Sequence, residues 1–236
     1  MFQIEEGLEL GVKVLGTIPI GNIEIWITET ILATWIIMGL LIILAIAVRI
    51  MLPRFEETPK GFQNAIEAIV ETFDNFAVGS LGIKLMPLGC WFFMAFLFIF
   101  LSNISGLFFL RPPTADWTMT FAFSAVTFIL IQIMAIKYKR GKYLKELMQP
   151  FPLFLPLNII GELARPISLS FRLFGNVLAG TILMALLYNM APYAIRFILP
   201  AALHAYFDLF SGVLQTYIFC ALSVSFIGNA AIIEAD

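Results

Sequence analysis

The stretch from Thr30 to Val48 carries no charged side chain, and about 20 apolar residues at 1.5 Å each cross a hydrocarbon core of about 30 Å. Four more long apolar stretches follow, at Leu85–Leu110, Trp117–Ile136, about Leu157–Tyr188 and roughly Ile198–Ile233. A chain of 236 residues that is 61% hydrophobic and 13% charged, broken up in this way, is an integral membrane protein by composition. The expected fold class is all-α: a single membrane domain over 1–236, with about five membrane helices and one amphipathic interfacial helix. The second and third stretches form a helical hairpin over 85–136 around the turn Arg111-Pro112-Pro113-Thr114-Ala115-Asp116.

The flanks supply orientation. Residues 1–29, with Glu5, Glu6, Glu9, Glu24, Glu29 and Gly and Pro breaks, read as an external N-terminal segment with at most a short surface helix. Its acidic start lacks the basic region of a secretory signal, so the first apolar segment is expected to be retained. The first span, 30–50, ends at Arg49, Pro53 and Arg54. Thr58-Pro59 then offers an N-cap residue and a Pro at the first helical position.

An amphipathic helix over 61–78 sets Phe62, Ile66, Ile69, Val70, Phe73 and Ala77 against Gln63, Asn64, Glu67, Glu71 and Asp74. Its acidic polar face leaves both lipid attachment and packing on a protein partner open. The segment 137–150 holds Lys137, Lys139, Arg140, Lys142 and Lys145. Alternation of spans puts it on the same side as Arg49, Arg54 and Lys60, and the positive-inside rule makes that side cytoplasmic. The N-terminus is then outside and the C-terminus cytoplasmic, and the basic run is a topological signal with no nucleic acid implied. Cys90 and Cys220 fall in apolar segments without metal-ligand spacing, so both are expected as buried small hydrophobes.

Arg172 lies near the middle of the apolar stretch Leu153–Leu187. A guanidinium at that depth costs about 2.5 to 3.5 kcal/mol on insertion scales, so it must face water or a partner. A buried structural salt bridge is the plainer alternative. At helical spacing Arg165, Ser168, Arg172, Asn176 and Ala179 share one face, with Gly175, Gly180 and Thr181 beside it. The last element carries His204, Asp208, Ser211, Gly212 and Gln215 on one face. A helix over 157–188 would approach about 48 Å, more than an upright span needs.

The pair over 157–233 is therefore expected as overlong, steeply tilted helices forming an antiparallel hairpin. A midpoint near residues 193 and 194 sets Arg172 opposite Gln215 and Thr181 nearly opposite Asp208. For His204 a plain hydrogen bond is the expectation, and Asp208 is costly in lipid unless hydrated or paired. Arg172, which cannot release a proton, lowers the pKa of any carboxylate brought near it.

Phe171-Arg172-Leu173-Phe174-Gly175-Asn176 with Ala179-Gly180, the upstream Pro166-Ile167-Ser168-Leu169-Ser170, the turn Pro113-Thr114-Ala115-Asp116, and Gln215 together resemble subunit a of the membrane sector of F-type rotary ATP synthase. The resemblance implies a stator beside a rotating ring of c subunits, with two offset half-channels for H+ or Na+. Arg172 would be the essential arginine, with Asn176 and Gln215 lining the rotor-facing surface. Asp208, Asn103 and Asp116 would belong to the outer inlet, with Thr181 facing Asp208 where many relatives carry Glu, and His204 as a weaker participant. Glu162, with Ser168, would serve the inner inlet.

Implied partners are the c-ring, the subunit b peripheral stalk, the remaining ATP synthase subunits and the lipid bilayer, in a bacterial cytoplasmic membrane. No nucleotide-binding loop and no activated nucleophile is visible, so no catalytic residue, cofactor or metal is expected of this chain alone. The competing reading is a secondary transporter binding an anionic substrate at Arg172. That class is built from related halves, and no internal repeat is visible.

Overall fold

A computed structural model describes residues 14–20, 23–56, 58–81, 87–108, 110–190, 192 and 195–231. The expectations that fall on 1–13, on the start of the hairpin at 85 and 86, and on 232–233 lie outside the described residues.

Where an external segment with at most a short surface helix was expected, two strands form. β1 (Val14–Ile20) pairs antiparallel with β2 (Ile23–Thr28), Ile18 facing Ile25, with an irregularity between Val14 and Gly16. The correction has a simple cause. Ile18-Pro19-Ile20 and Ile23-Glu24-Ile25-Trp26-Ile27 are rich in β-branched and aromatic residues, and a Gly-Asn pair between two such runs is a hairpin signal.

The rest is helical. α1 (Glu29–Met51) buries Thr30, Ala33, Ile37 and Leu41, a single stripe at spacings of three and four, and leaves most other side chains exposed. α2 (Phe62–Leu81) is the amphipathic helix. α3 (Leu88–Ile104) ends in a 3-10 turn at Ser105–Phe108; α4 (Trp117–Lys139) returns, and α5 (Gly141–Leu147) is a short helix in the basic segment. α6 (Leu155–Met190) runs 36 residues without interruption through Pro166, so no irregular turn forms there. α7 (Ile195–His204) and α8 (Gly212–Ala231) are joined by a π-helical segment, Ala205–Ser211. Among the described residues five helical stretches are long and apolar enough to cross a membrane, as expected of an all-α membrane protein.

The chain divides into two compact units. The first takes the chain up to Ala45, Phe98–Met119 and Arg172–Thr216; the second takes Ile46–Leu97, Thr120–Phe171 and the chain from Tyr217. In the second unit the core gathers Phe92, Ile131, Ala135, Val224, Ile227 and Ala230. Phe73 of α2 lies edge-on to Phe93 and Phe96, each at 5.0 Å. Phe62, Ile69 and Val70 on the same helix stay exposed, so α2 buries only part of its apolar face there. The Thr120 and Ser170 hydroxyls meet at 3.2 Å where both side chains are buried. Cys220 is buried as expected, but Cys90 is exposed: an apolar sequence context sets a residue's environment, not which helix face it occupies.

Candidate functional site

In the first unit the register of the α6 partnership is fixed by two contacts. The Ser211 hydroxyl donates to Asn176 Oδ1 at 2.7 Å, and the Phe207 ring lies so close to Gly180 that an added Cβ would sit 3.2 Å from it. Both contacts are centred between residues 193 and 194, the midpoint the sequence suggests. One helical turn further along each helix, mirror counting puts residue 172 level with residue 215, but no hydrogen bond joins the Arg172 guanidinium to Gln215 Oε1. Gln215 Oε1 is buried with no hydrogen-bond partner among the described residues. Arg172 is exposed and makes no ion pair with any described residue. Near it on α6, Gly175 has nothing within 4 Å of where a Cβ would be, and Ala179 is exposed. The guanidinium thus stands on an open, small-residue surface.

A cavity of about 460 Å³ opens in this unit, lined among others by Glu29, Asn103, Arg111, Thr181, His204 and Asp208. His204 Nδ1 and Asp208 Oδ2 lie 2.6 Å apart, a direct pair across one turn. The Asp208 carboxylate rests on Gly106, where an added Cβ would come within 3.0 to 3.2 Å of it. A Cβ at 106 would require the carboxylate to shift by a few tenths of an ångström. The Thr181 hydroxyl donates to Val177 O at 2.9 Å, turning its hydrogen back along its own helix.

Asn103 is fully engaged. Its Nδ2 donates to Gly212 O (3.1 Å) and Thr216 Oγ1 (3.4 Å), while Oδ1 accepts from Thr114 Oγ1 (2.9 Å). Gly212 is required for this approach, since a Cβ there would stand 2.9 Å from that of Asn103. Asp116 is not among the cavity-lining residues. Its Oδ1 accepts from Thr118 N–H at 3.0 Å and so caps α4.

The second unit holds the other expected residues. Glu162 and Arg165 form an ion pair of 2.9 Å across three residues of α6, and the Arg165 guanidinium stacks 5.3 Å from the Phe226 ring. Ser168 is exposed, and Gly161 on the same helix has open space beside it. In α5 the Tyr143 hydroxyl donates to Gln132 Oε1 at 2.7 Å. Burial, the largest effect, pushes the Tyr143 phenol up, and Glu162 and Arg165 act on it with smaller and opposite effects. Asn158 ties the start of α6 to the backbone, donating to Leu147 O (2.8 Å) and Gln149 O (3.0 Å).

The structure therefore brings Asn103, Thr181, His204 and Asp208 around one cavity and pairs Asn176 with Ser211. It keeps Asp116 apart, as a helix cap. Sequence reading missed Glu29 as a cavity residue, since it was grouped with the external acids. It also missed Gly106, whose only signal is a glycine near the end of an apolar helix.

Comparisons with known proteins converge. The family model of the ATP synthase A chain matches residues 31–228. The chain is 34% identical over 223 residues to "ATP synthase subunit a" of Moorella thermoacetica, covering 91% of this chain and 93% of that protein. It is 33% identical over 231 residues to "ATP synthase subunit a, sodium ion specific" of Propionigenium modestum, covering 88% and 77%. A third relative, from Desulforamulus reducens, is 32% identical over 217 residues, covering 88% and 81%.

Proposed function

Because the chain belongs to the ATP synthase A chain family, we propose that it is the stator that delivers H+ or Na+ to a rotating ring of c subunits and collects it again through two offset half-channels. At the coarser level the assignment is plain. The chain is a multi-pass membrane protein and the ion-translocating membrane-sector subunit of an ATP synthase, working with the other subunits of that enzyme. One relative is named sodium ion specific and two carry no such words, so both ions stay within the proposal.

The observation that carries the reading is Arg172: exposed, without an ion-pair partner among the described residues, and on a face of small side chains. A ring carboxylate passing it within 4 Å would be attracted by about 4 kcal/mol at an effective dielectric near 20. That corresponds to roughly three pKa units, enough to release its ion. The same fixed charge opposes leakage of a cation straight from one half-channel to the other. His204, Asp208, Thr181 and Asn103 around their cavity support the outer inlet; Glu162, Arg165 and Ser168 support the inner one. The basic residues 49–60 and 137–150 support a cytoplasmic side there, an external N-terminus and a cytoplasmic C-terminus in a bacterial cell membrane. The exposed apolar residues of α2 support a further partner, for which the peripheral stalk subunit b is proposed.

The test is Arg172→Ala in the whole ATP synthase reconstituted in sealed vesicles. Loss of both ATP-driven ion pumping and ion-driven ATP synthesis, with the complex still assembled, is expected. Coupled transport at the wild-type rate would remove the basis of the proposal.

A further inference from the structure

Glu29 is the first residue of α1, where an acid is usually explained by the helix terminus. The capping hydrogen bond, though, does not need it. The Ile31 N–H donates to Thr28 Oγ1 at 3.4 Å, and the Thr28 and Thr30 hydroxyls share a 2.9 Å hydrogen bond, so Thr28 caps the helix. Glu29 is half-buried, lines the 460 Å³ cavity, and makes no hydrogen bond or ion pair with any described residue.

Several other polar groups on the cavity wall are already engaged. Asp208 is committed to His204, the Thr181 hydrogen to Val177 O, and both ends of the Asn103 amide to their partners. Arg111 also has interactions of its own. The titratable and charged groups facing the cavity are Glu29, Arg111, Tyr188, His204 and Asp208. Of the two carboxylates, one is held by an imidazole and one is not.

We propose that Glu29 is a proton-relay residue of the outer inlet, taking protons from the external side and passing them through cavity water to the His204–Asp208 pair. This rests on the half-channel reading above. A proton arriving with water adds to one Glu29 carboxylate oxygen. It leaves to a cavity water that in turn gives up a proton to the pair, and Glu29 returns to the carboxylate with no net change. The relay is proposed for H+, since a histidine hydrogen-bonded to an acid offers it a proton-exchanging next station.

The experiment compares Glu29→Gln and Glu29→Asp in the whole ATP synthase in sealed vesicles, reading ion-driven ATP synthesis as a function of external pH alongside assembly and ATP hydrolysis. Glu29→Gln is expected to assemble, to hydrolyse ATP, and to slow synthesis by about tenfold. That is less than the hundredfold or more that a positioned proton-transfer group can contribute, because water still reaches the cavity. The deficit should shrink as external pH falls, and Glu29→Asp should recover most of the rate. Wild-type synthesis by Glu29→Gln at every external pH, with Arg172→Ala blocked in parallel, overturns the relay and leaves the half-channel reading standing. Normal coupling in Arg172→Ala instead takes down the reading itself. If Glu29→Gln does not assemble, Glu29→Ser gives the same readout; failure of both beside an assembled but slow Glu29→Asp marks a structural role and also overturns the relay.

Discussion

The two units each hold one close acid–base pair on a membrane helix, and the pairs differ in their basic member. In the first unit Asp208 meets His204 at 2.6 Å; in the second Glu162 meets Arg165 at 2.9 Å. An imidazole gains and loses a proton in the physiological range, whereas a guanidinium stays charged. The first pair can therefore exchange protons on either partner, while the second can do so only on its acid. The settings differ in the same sense. Asp208 lies on a cavity wall against a glycine that leaves room for it, while Arg165 is pinned by the Phe226 ring. A pair beside a cavity and a pair held against an aromatic ring would suit the outer and inner parts of the ion route proposed above.

The sharpest way to break the comparison is Asp208→Asn. With assembly intact, ion-driven ATP synthesis should fall by about a hundredfold, the lower end for loss of a positioned proton-transfer group. Synthesis within twofold of wild type would show that the His204 pair is an ordinary structural bond. Next comes Glu162→Gln, which frees Arg165 from its ion-pair partner on α6. The expected loss is smaller, and it should change less with external pH than that of Asp208→Asn, as measured by synthesis rates at fixed internal pH. A third variant, Gly106→Ala, adds a Cβ 3.0 Å from Asp208 Oδ2 and should reproduce part of the Asp208→Asn defect with the acid still present. An unaffected rate in this variant would mean that the carboxylate relaxes at no cost to function.

The smallest effect concerns α5. Burial, the largest effect, pushes the Tyr143 phenol above its ordinary value of 10.0. Its contribution to stability is therefore complete below pH 10 and is lost as pH rises through the higher folded value. Tyr143→Phe should remove that alkaline loss. At neutral pH it should cost about 1 kcal/mol for the missing bond to Gln132, read by denaturant titration in detergent.

Much of this was legible in the residues. Long apolar stretches gave the five spans, and spacings of three and four gave the Arg172 face. Simple mirror pairing about residues 193 and 194 anticipated the contacts of Asn176 with Ser211 and of Gly180 with Phe207. The N-terminal hairpin was legible too, in alternating β-branched residues around Gly21-Asn22, but the acidic count drew attention away from them. Other features had no local signal. Whether Glu29 faces solvent or a cavity depends on side chains from α6 and α7, more than 140 residues on. That Asn103 acts as a bracket between α3 and α8 depends on Gly212 and Thr114, far away in sequence or on another element. Periodicity assigns a residue to a face; it does not say what stands opposite.

The π-helical segment Ala205–Ser211 carries a last consequence. A wider coil takes up one residue more than an α-helix would in the same rise, so the two ends of the long final element are clocked differently about its axis. Deleting a single amino acid inside this segment would let it tighten to an α-helix with its two ends facing nearly as before, whereas deleting Val213 from α8, where there is no such slack, would swing everything before it by about 100° relative to everything after it. His204 and Gln215 would then no longer address the surfaces they address now, although every side chain named above would still be present. For this stretch of the molecule, length is as much a functional specification as composition.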